Sequence, residues 1–88
     1  MIIKVRGVLL RFTEYENEIE VGAETVRAGL TALTERYPNL GEVLLDRMGE
    51  VRPTHLIALN GERLTKSELD RTAAEDDRVD IVTAVSGG

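Results

Sequence analysis

An α+β fold, one main helix laid across a face of a mixed β-sheet, follows from three features of this 88-residue chain. Short alternating runs of apolar and polar residues stand near both ends. One long amphipathic stripe lies between them. An Asn-Gly pair joins two extended runs in the second half. The length suits one domain, because a single core already needs most of it.

From the first residues, Ile3 and Val5 fall on one face and Lys4 and Arg6 on the other, the signature of a strand with one buried side. Gly7 interrupts it, and Val8-Leu9-Leu10 continue with less clear periodicity. After the polar stretch Thr13 to Asn17, Glu18-Ile19-Glu20-Val21 alternates again. Two strands so close together predict a hairpin, its turn near Glu14 to Asn17. Gly22 breaks the strand, and Thr25 is the predicted helix N-cap, its hydroxyl accepting from an otherwise unpaired backbone N–H. Val26, Leu30, Leu33 and Tyr37 then recur at spacings of four, three and four, the stripe of an amphipathic helix. Pro38 disfavours helical geometry at Tyr37, so the helix stops near Arg36. Gly29 costs this helix about 1 kcal/mol relative to alanine, which a close approach to the sheet would explain. Leu40, Val43, Leu44 and Met48 make a second short helical pattern, ended by Gly49.

Thr54 to Leu59, Asn60-Gly61 and Glu62 to Leu64 form the strongest short-range hairpin signal in the chain, since both turn residues must take positive φ. Ser67 to Ala74 is polar, with Leu69 its only large apolar residue, and reads as a turn or one loose helical turn. The acidic corner Glu75-Asp76-Asp77 precedes a last strand from Arg78 to Val85, and the chain ends Ser86-Gly87-Gly88. A helix crossing between the first hairpin and the final strands lets the first and last strands lie side by side. The β-grasp arrangement does this. The expected organisation is a domain over 1–85 with a flexible tail over 86–88.

Composition narrows the function. Sixteen acids against eleven bases give a net charge of −5, the wrong sign for a phosphate-backbone binder. Nucleic acid is therefore not an expected partner. No apolar run approaches the roughly 20 residues that span a bilayer, and nothing resembles a signal peptide, so no membrane partner is expected and the cytoplasm is the expected address. The absence of cysteine removes disulfides, thiolate nucleophiles and thiolate metal sites. His55 is the only histidine and has no partner at metal-ligand spacing; it reads as an ordinary strand residue. Glu14, Glu16, Glu18 and Glu20 look like a solvated face, and Asp76-Asp77 like a polar turn. The glycines are too scattered for a phosphate loop. No catalytic residue, metal ligand or bound cofactor is expected.

The terminus is different. A carboxylate carried on two glycines has no β-carbon near it and can enter a narrow slot in extended form. Such an end suits adenylation by an activating enzyme. The acyl-adenylate supplies the leaving group that a carboxylate lacks, and a sulfur or amine nucleophile can then displace AMP.

The alternating first strand, the helix opened at Thr25-Val26, the hairpin Leu56-Ile57-Ala58-Leu59-Asn60-Gly61-Glu62 and the ending Asp77-Arg78-Val79-Asp80-Ile81-Val82 through Ala84-Val85-Ser86-Gly87-Gly88 together resemble the bacterial ubiquitin-like sulfur carriers. These comprise the small subunit of molybdopterin synthase, the thiamine-pathway carrier and the cysteine-biosynthesis carrier. The resemblance implies a β-grasp fold and a ubiquitin-activating-type adenylyltransferase as partner, using ATP and magnesium. It also implies a thiocarboxylate on Gly88, with Val85, Ser86 and Gly87 threading the partner's channel. The downstream acceptor would be a cysteine synthase-like enzyme or the molybdopterin synthase large subunit. Two positions depart from the family's pattern. Asp76 stands where a glycine usually precedes the last corner, and Thr83 where a proline often precedes the tail. The stretch from Arg36 through Asp46 to Pro53 is long for the thiamine carrier and looks more like the cysteine-type carriers and longer molybdopterin subunits. The alternatives carried forward are the synthase small subunit and a ubiquitin-like protein modifier.

Alternation also assigns faces. With Val79 and Ile81 pointing into the core, Val82 and Ala84 face away, which predicts a modest apolar patch beside the tail. Val82, with Arg63 near it, is the expected docking surface for the activating enzyme, unless the second helix or the Val8–Leu10 segment covers that face.

Overall fold

A computed structural model describes residues 1–83. Nine elements follow one another: strand β1 (Ile2–Val5), a 3-10 turn (Gly7–Phe12), β2 (Glu18–Glu20), helix α1 (Val26–Arg36), helix α2 (Pro38–Leu44), β3 (His55–Leu59), β4 (Glu62–Leu64), a 3-10 turn (Lys66–Glu68) and β5 (Arg78–Thr83). The five strands form one sheet in the order β2-β1-β5-β3-β4. The first and last strands are adjacent and parallel, Ile3 opposite Val79 and Val5 opposite Ile81, while every other pairing is antiparallel. This is the β-grasp arrangement expected from the order of elements.

The alternation read along the strands decides which side chains meet the helix. Ile3, Val5, Ile19, Ile57, Val79 and Ile81 are all buried, and Val26, Leu30 and Leu33 of α1 pack with them in a single aliphatic core. Thr25 caps α1 as expected, its hydroxyl accepting from the Ala28 N–H at 3.0 Å, a contact worth about 1 kcal/mol. The helix ends at Arg36, and Pro38 opens α2 at its first turn, where a missing N–H costs nothing. Gly29 does mark a close approach, but to a side chain. A β-carbon there would clash with Sδ of buried Met1.

Two expectations need correction. The second helix stops at Leu44, and Met48 lies outside it, 84% exposed. The Asp46 carboxylate accepts from the N–H groups of Met48 and Glu50, at 2.8 and 3.0 Å, and this side-chain-closed turn outcompetes another helical turn; Gly49 serves that turn with φ +79°. Val8–Leu10 belongs to a 3-10 turn that tucks Leu9 into the core and leaves Val8 exposed. The stretch after β4 is one short 3-10 turn, as expected, and the Leu69 that closes it is buried in the core.

The Asn60-Gly61 turn has the predicted positive φ at both residues, +50° and +86°. Its side chain does more. The Asn60 amide donates to Asp77 at 3.0 Å and accepts from the Arg78 N–H at 2.9 Å, tying the hairpin tip to the corner that launches β5. Asp76 is not among the residues with positive φ, so that corner needs no glycine.

Candidate functional site

β5 occupies the centre of the sheet and leads towards the chain end. Val79 and Ile81 face the core with no exposure, and the intervening positions face outward. Val82 is 41% exposed, so neither α2 nor the 8–10 segment covers it. Register places half-buried Leu56 opposite Val82, and half-buried Ala58 opposite Asp80 on one side and Arg63 on the other. The outer face therefore carries a small apolar strip, Val82 and Leu56, beside a row of charge running Glu18, Lys4, Asp80 and, past Ala58, Arg63. Arg6 pairs with Asp80 at 3.3 Å.

Arg63 and Val82 share this face but do not touch as neighbours. They stand two strands and one residue pair apart, a separation of about 12 Å from ordinary strand spacing. A partner spanning both must cover the width of β5, β3 and β4. The expected tail residues Val85, Ser86, Gly87 and Gly88 lie outside the described residues, as does Ala84.

His55 is structural in its contacts. Its Nε2 lies 2.9 Å from the Val43 carbonyl and its Nδ1 3.4 Å from the Thr83 hydroxyl, so the ring joins α2 to the end of β5. The Glu14 to Glu20 carboxylates are exposed around β2. Asp77 is held below the usual carboxylate range by the Ala74 N–H and then by the Asn60 amide, which marks a corner acceptor committed to the fold. Among the described residues no three His, Asp or Glu side chains cluster to hold a metal. None of the helices in the described residues is long and apolar enough to cross a membrane.

Two exposed features were not legible in the sequence. Tyr15 is 74% exposed and held, with Glu14, in left-handed backbone (φ 64° and 55°). A groove also opens beside Leu56, built from segments 51–57 and 63–69 that only the hairpin and the turn after it bring together.

A five-stranded mixed sheet with its first and last strands parallel and adjacent, and one main helix packed on it, defines the ubiquitin-like β-grasp class of fold. The chain belongs to the ThiS family, whose model matches residues 3–88. No curated protein matches it. Among solved structures it is similar to SAMP1 from Haloferax volcanii, at 26% identity and TM-score 0.82, over 100% of this chain and 98% of that one. A chain of the Amycolatopsis orientalis BexX/CysO complex shares the fold at 19% identity and TM-score 0.85, over 99% of this chain and 98% of that one. Mycobacterium tuberculosis CysO does so at 23% identity and TM-score 0.82, over 96% and 98%. Members of this family are small carrier proteins, not catalysts themselves.

Proposed function

We propose that this protein is a sulfur carrier whose reactive group is the carboxylate of Gly88. A ubiquitin-activating-type adenylyltransferase, using its own ATP and magnesium, joins that carboxylate to AMP and releases pyrophosphate. Hydrosulfide from the sulfur source then attacks the acyl carbon, the bond to AMP breaks as AMP leaves, and loss of a proton gives the thiocarboxylate. That group gives its sulfur to an enzyme making cysteine or another sulfur-containing metabolite. The observation that carries this reading is the family match, which extends to the final Gly87-Gly88 pair.

The chain's own contribution is presentation. β5 is paired on both sides, so the strand preceding the tail is fixed by two neighbours. Val82 and Leu56 supply an apolar contact beside it, and Ser86 with Gly87 offers little side-chain bulk to a narrow channel. Arg63 adds a cation at the far side of the same face.

The test is the intact mass of the chain after incubation with ATP, a competent activating enzyme and a sulfide source. An oxygen-for-sulfur exchange that vanishes on deleting Gly88 supports the reading, and an unchanged mass contradicts it. A protein modifier is the second reading, favoured by the likeness to SAMP1, which a Methanosarcina structure describes as a small archaeal modifier protein. With Lys4 and Lys66 the only lysines, chains built on itself would have few acceptors. The third reading, the molybdopterin synthase small subunit, predicts stable co-purification with a larger subunit.

A further inference from the structure

β4 ends at Leu64, opposite Ile57, whereas β3 extends past this point to Leu56 and His55. The chain leaving β4 turns aside through Thr65, whose N–H is capped by the Glu68 carboxylate at 2.9 Å, and then buries Leu69. Arg27 holds this detour in place by donating to the Lys66 carbonyl and pairing with Asp70 at 2.8 Å. The strand residues missing opposite Leu56 leave a groove of about 320 Å³. Leu56, Leu64 and Leu69 give it an apolar lining, and Arg52, Arg63 and Lys66 line it with positive charge.

These cations are not spent on the fold. Among the described residues neither Arg63 nor Lys66 forms an ion pair, and Arg52 donates only to the Glu42 carbonyl, at 3.3 Å. Asp46, whose charge Lys66 and Arg52 reach, is already committed to two backbone N–H groups. The rest of the molecule has the opposite sign. The net charge is −5, and Glu14, Glu16, Glu18 and Glu20 crowd the other edge of the sheet. A basic rim on an acidic protein selects a negatively charged occupant, and an apolar lining wants side chains that a bare anion lacks. The gap also has the shape of absent strand residues.

We propose that this groove binds an extended segment of a partner protein in which apolar side chains alternate with carboxylates. The two-residue period of such a strand sends its carboxylates to the outer face beside Arg63 and its apolar groups to the inner face beside Leu64, the register partner of core residue Ile57. Leu56 also stands opposite Val82, so the groove continues the outer face and offers a second handle beside the end of β5. This goes beyond the carrier reading and needs neither ATP nor Gly88.

The experiment is a titration of the full-length, isotopically labelled chain, followed by backbone amide NMR. The probe is a short end-capped peptide alternating leucine with aspartate and glutamate. A second peptide with lysine at the acidic positions, and inorganic phosphate alone, are the comparison arms. Saturable shifts confined to segments 51–57 and 63–69, weakening as salt rises, are the expected result. The double variant Arg63→Glu, Lys66→Glu should lose at least about tenfold in affinity with its amide dispersion intact, because two rim attractions become repulsions. The single variant Arg63→Ala should lose less. Equal binding of the lysine peptide, shifts elsewhere or no shifts would overturn the proposal. So would phosphate matching the peptide, or groove shifts that appear on raising protein concentration alone, which would make the occupant a second copy. Since the titration uses no activating enzyme, its failure leaves the thiocarboxylate test standing, and the reverse holds too.

Discussion

Val82→Asp separates docking from folding. Full burial of a valine contributes about 1.5–3 kcal/mol, and Val82 is 41% exposed, so the change gives up about 1 kcal/mol of burial. Placing aspartate in a strand adds up to about 1 kcal/mol more. The expected loss of about 1–2 kcal/mol lowers the melting temperature by roughly 4–16 °C in a domain of this size. A domain that starts with only about 5 kcal/mol still remains about 99% folded at 25 °C. Unfolding therefore cannot account for more than a trivial loss of rate. The assay is pyrophosphate release by the activating enzyme as carrier concentration is varied. A charge buried against an apolar partner surface should cut kcat/KM at least about tenfold, mostly through KM, since docking and not the acyl chemistry is disturbed. An unchanged kcat/KM, or a stability loss well above 3 kcal/mol that makes Val82 a core residue, would refute the reasoning.

Three further outcomes follow from the fold. Asn60→Ala removes both side-chain bonds to the corner before β5 and the residue type that tolerates φ +50°, so urea denaturation should show a loss of about 2 kcal/mol, with Asn60→Gly recovering the backbone part of it. Gly29→Ala gains about 1 kcal/mol of helix propensity, and the Met1 thioether it meets is the far end of a flexible side chain that can shift at a similar cost, so the same measurement should show a net change of less than about 1 kcal/mol. Asp46, Glu68 and Asp77 all have lowered pKa values, caused chiefly by the backbone N–H groups of Glu50, Thr65 and Ala74 respectively. A folded pKa below the unfolded one adds stability above the unfolded value and loses it as pH falls through the folded one. The urea midpoint should therefore hold from about pH 7 to about pH 5 and fall below about pH 4.

Local chemistry made most of this architecture readable. The Thr25 cap, Pro38 and the Asn60-Gly61 turn each dictate backbone geometry within a few residues, and the alternation at Ile3–Val5 and Val79–Ile81 assigns faces without further information. Met48 shows where that stops. Helical spacing put it on the stripe of Leu40 and Leu44, but the Asp46 carboxylate closes a turn first, and a periodicity count does not weigh that competition. Leu69 and Leu9 were hidden for another reason. Each is a single apolar residue in an irregular segment, buried by contacts that only the assembled core supplies. The outward position of Val82 was legible from strand period alone. The groove beside it was not, because its walls come from segments 51–57 and 63–69 and its opening depends on where β4 happens to end.

The most direct measurement places the sulfur atom. After activation in the presence of ATP and sulfide, the C-terminal peptide of the intact protein should be isolated and sequenced by tandem mass spectrometry. The account predicts a single sulfur-for-oxygen substitution on the fragment containing Gly88, carrying the added mass of one alkyl group when the thioacid is alkylated and missing from the chain lacking Gly88. Sulfur found at any other position, or gained equally by the shortened chain, would contradict it.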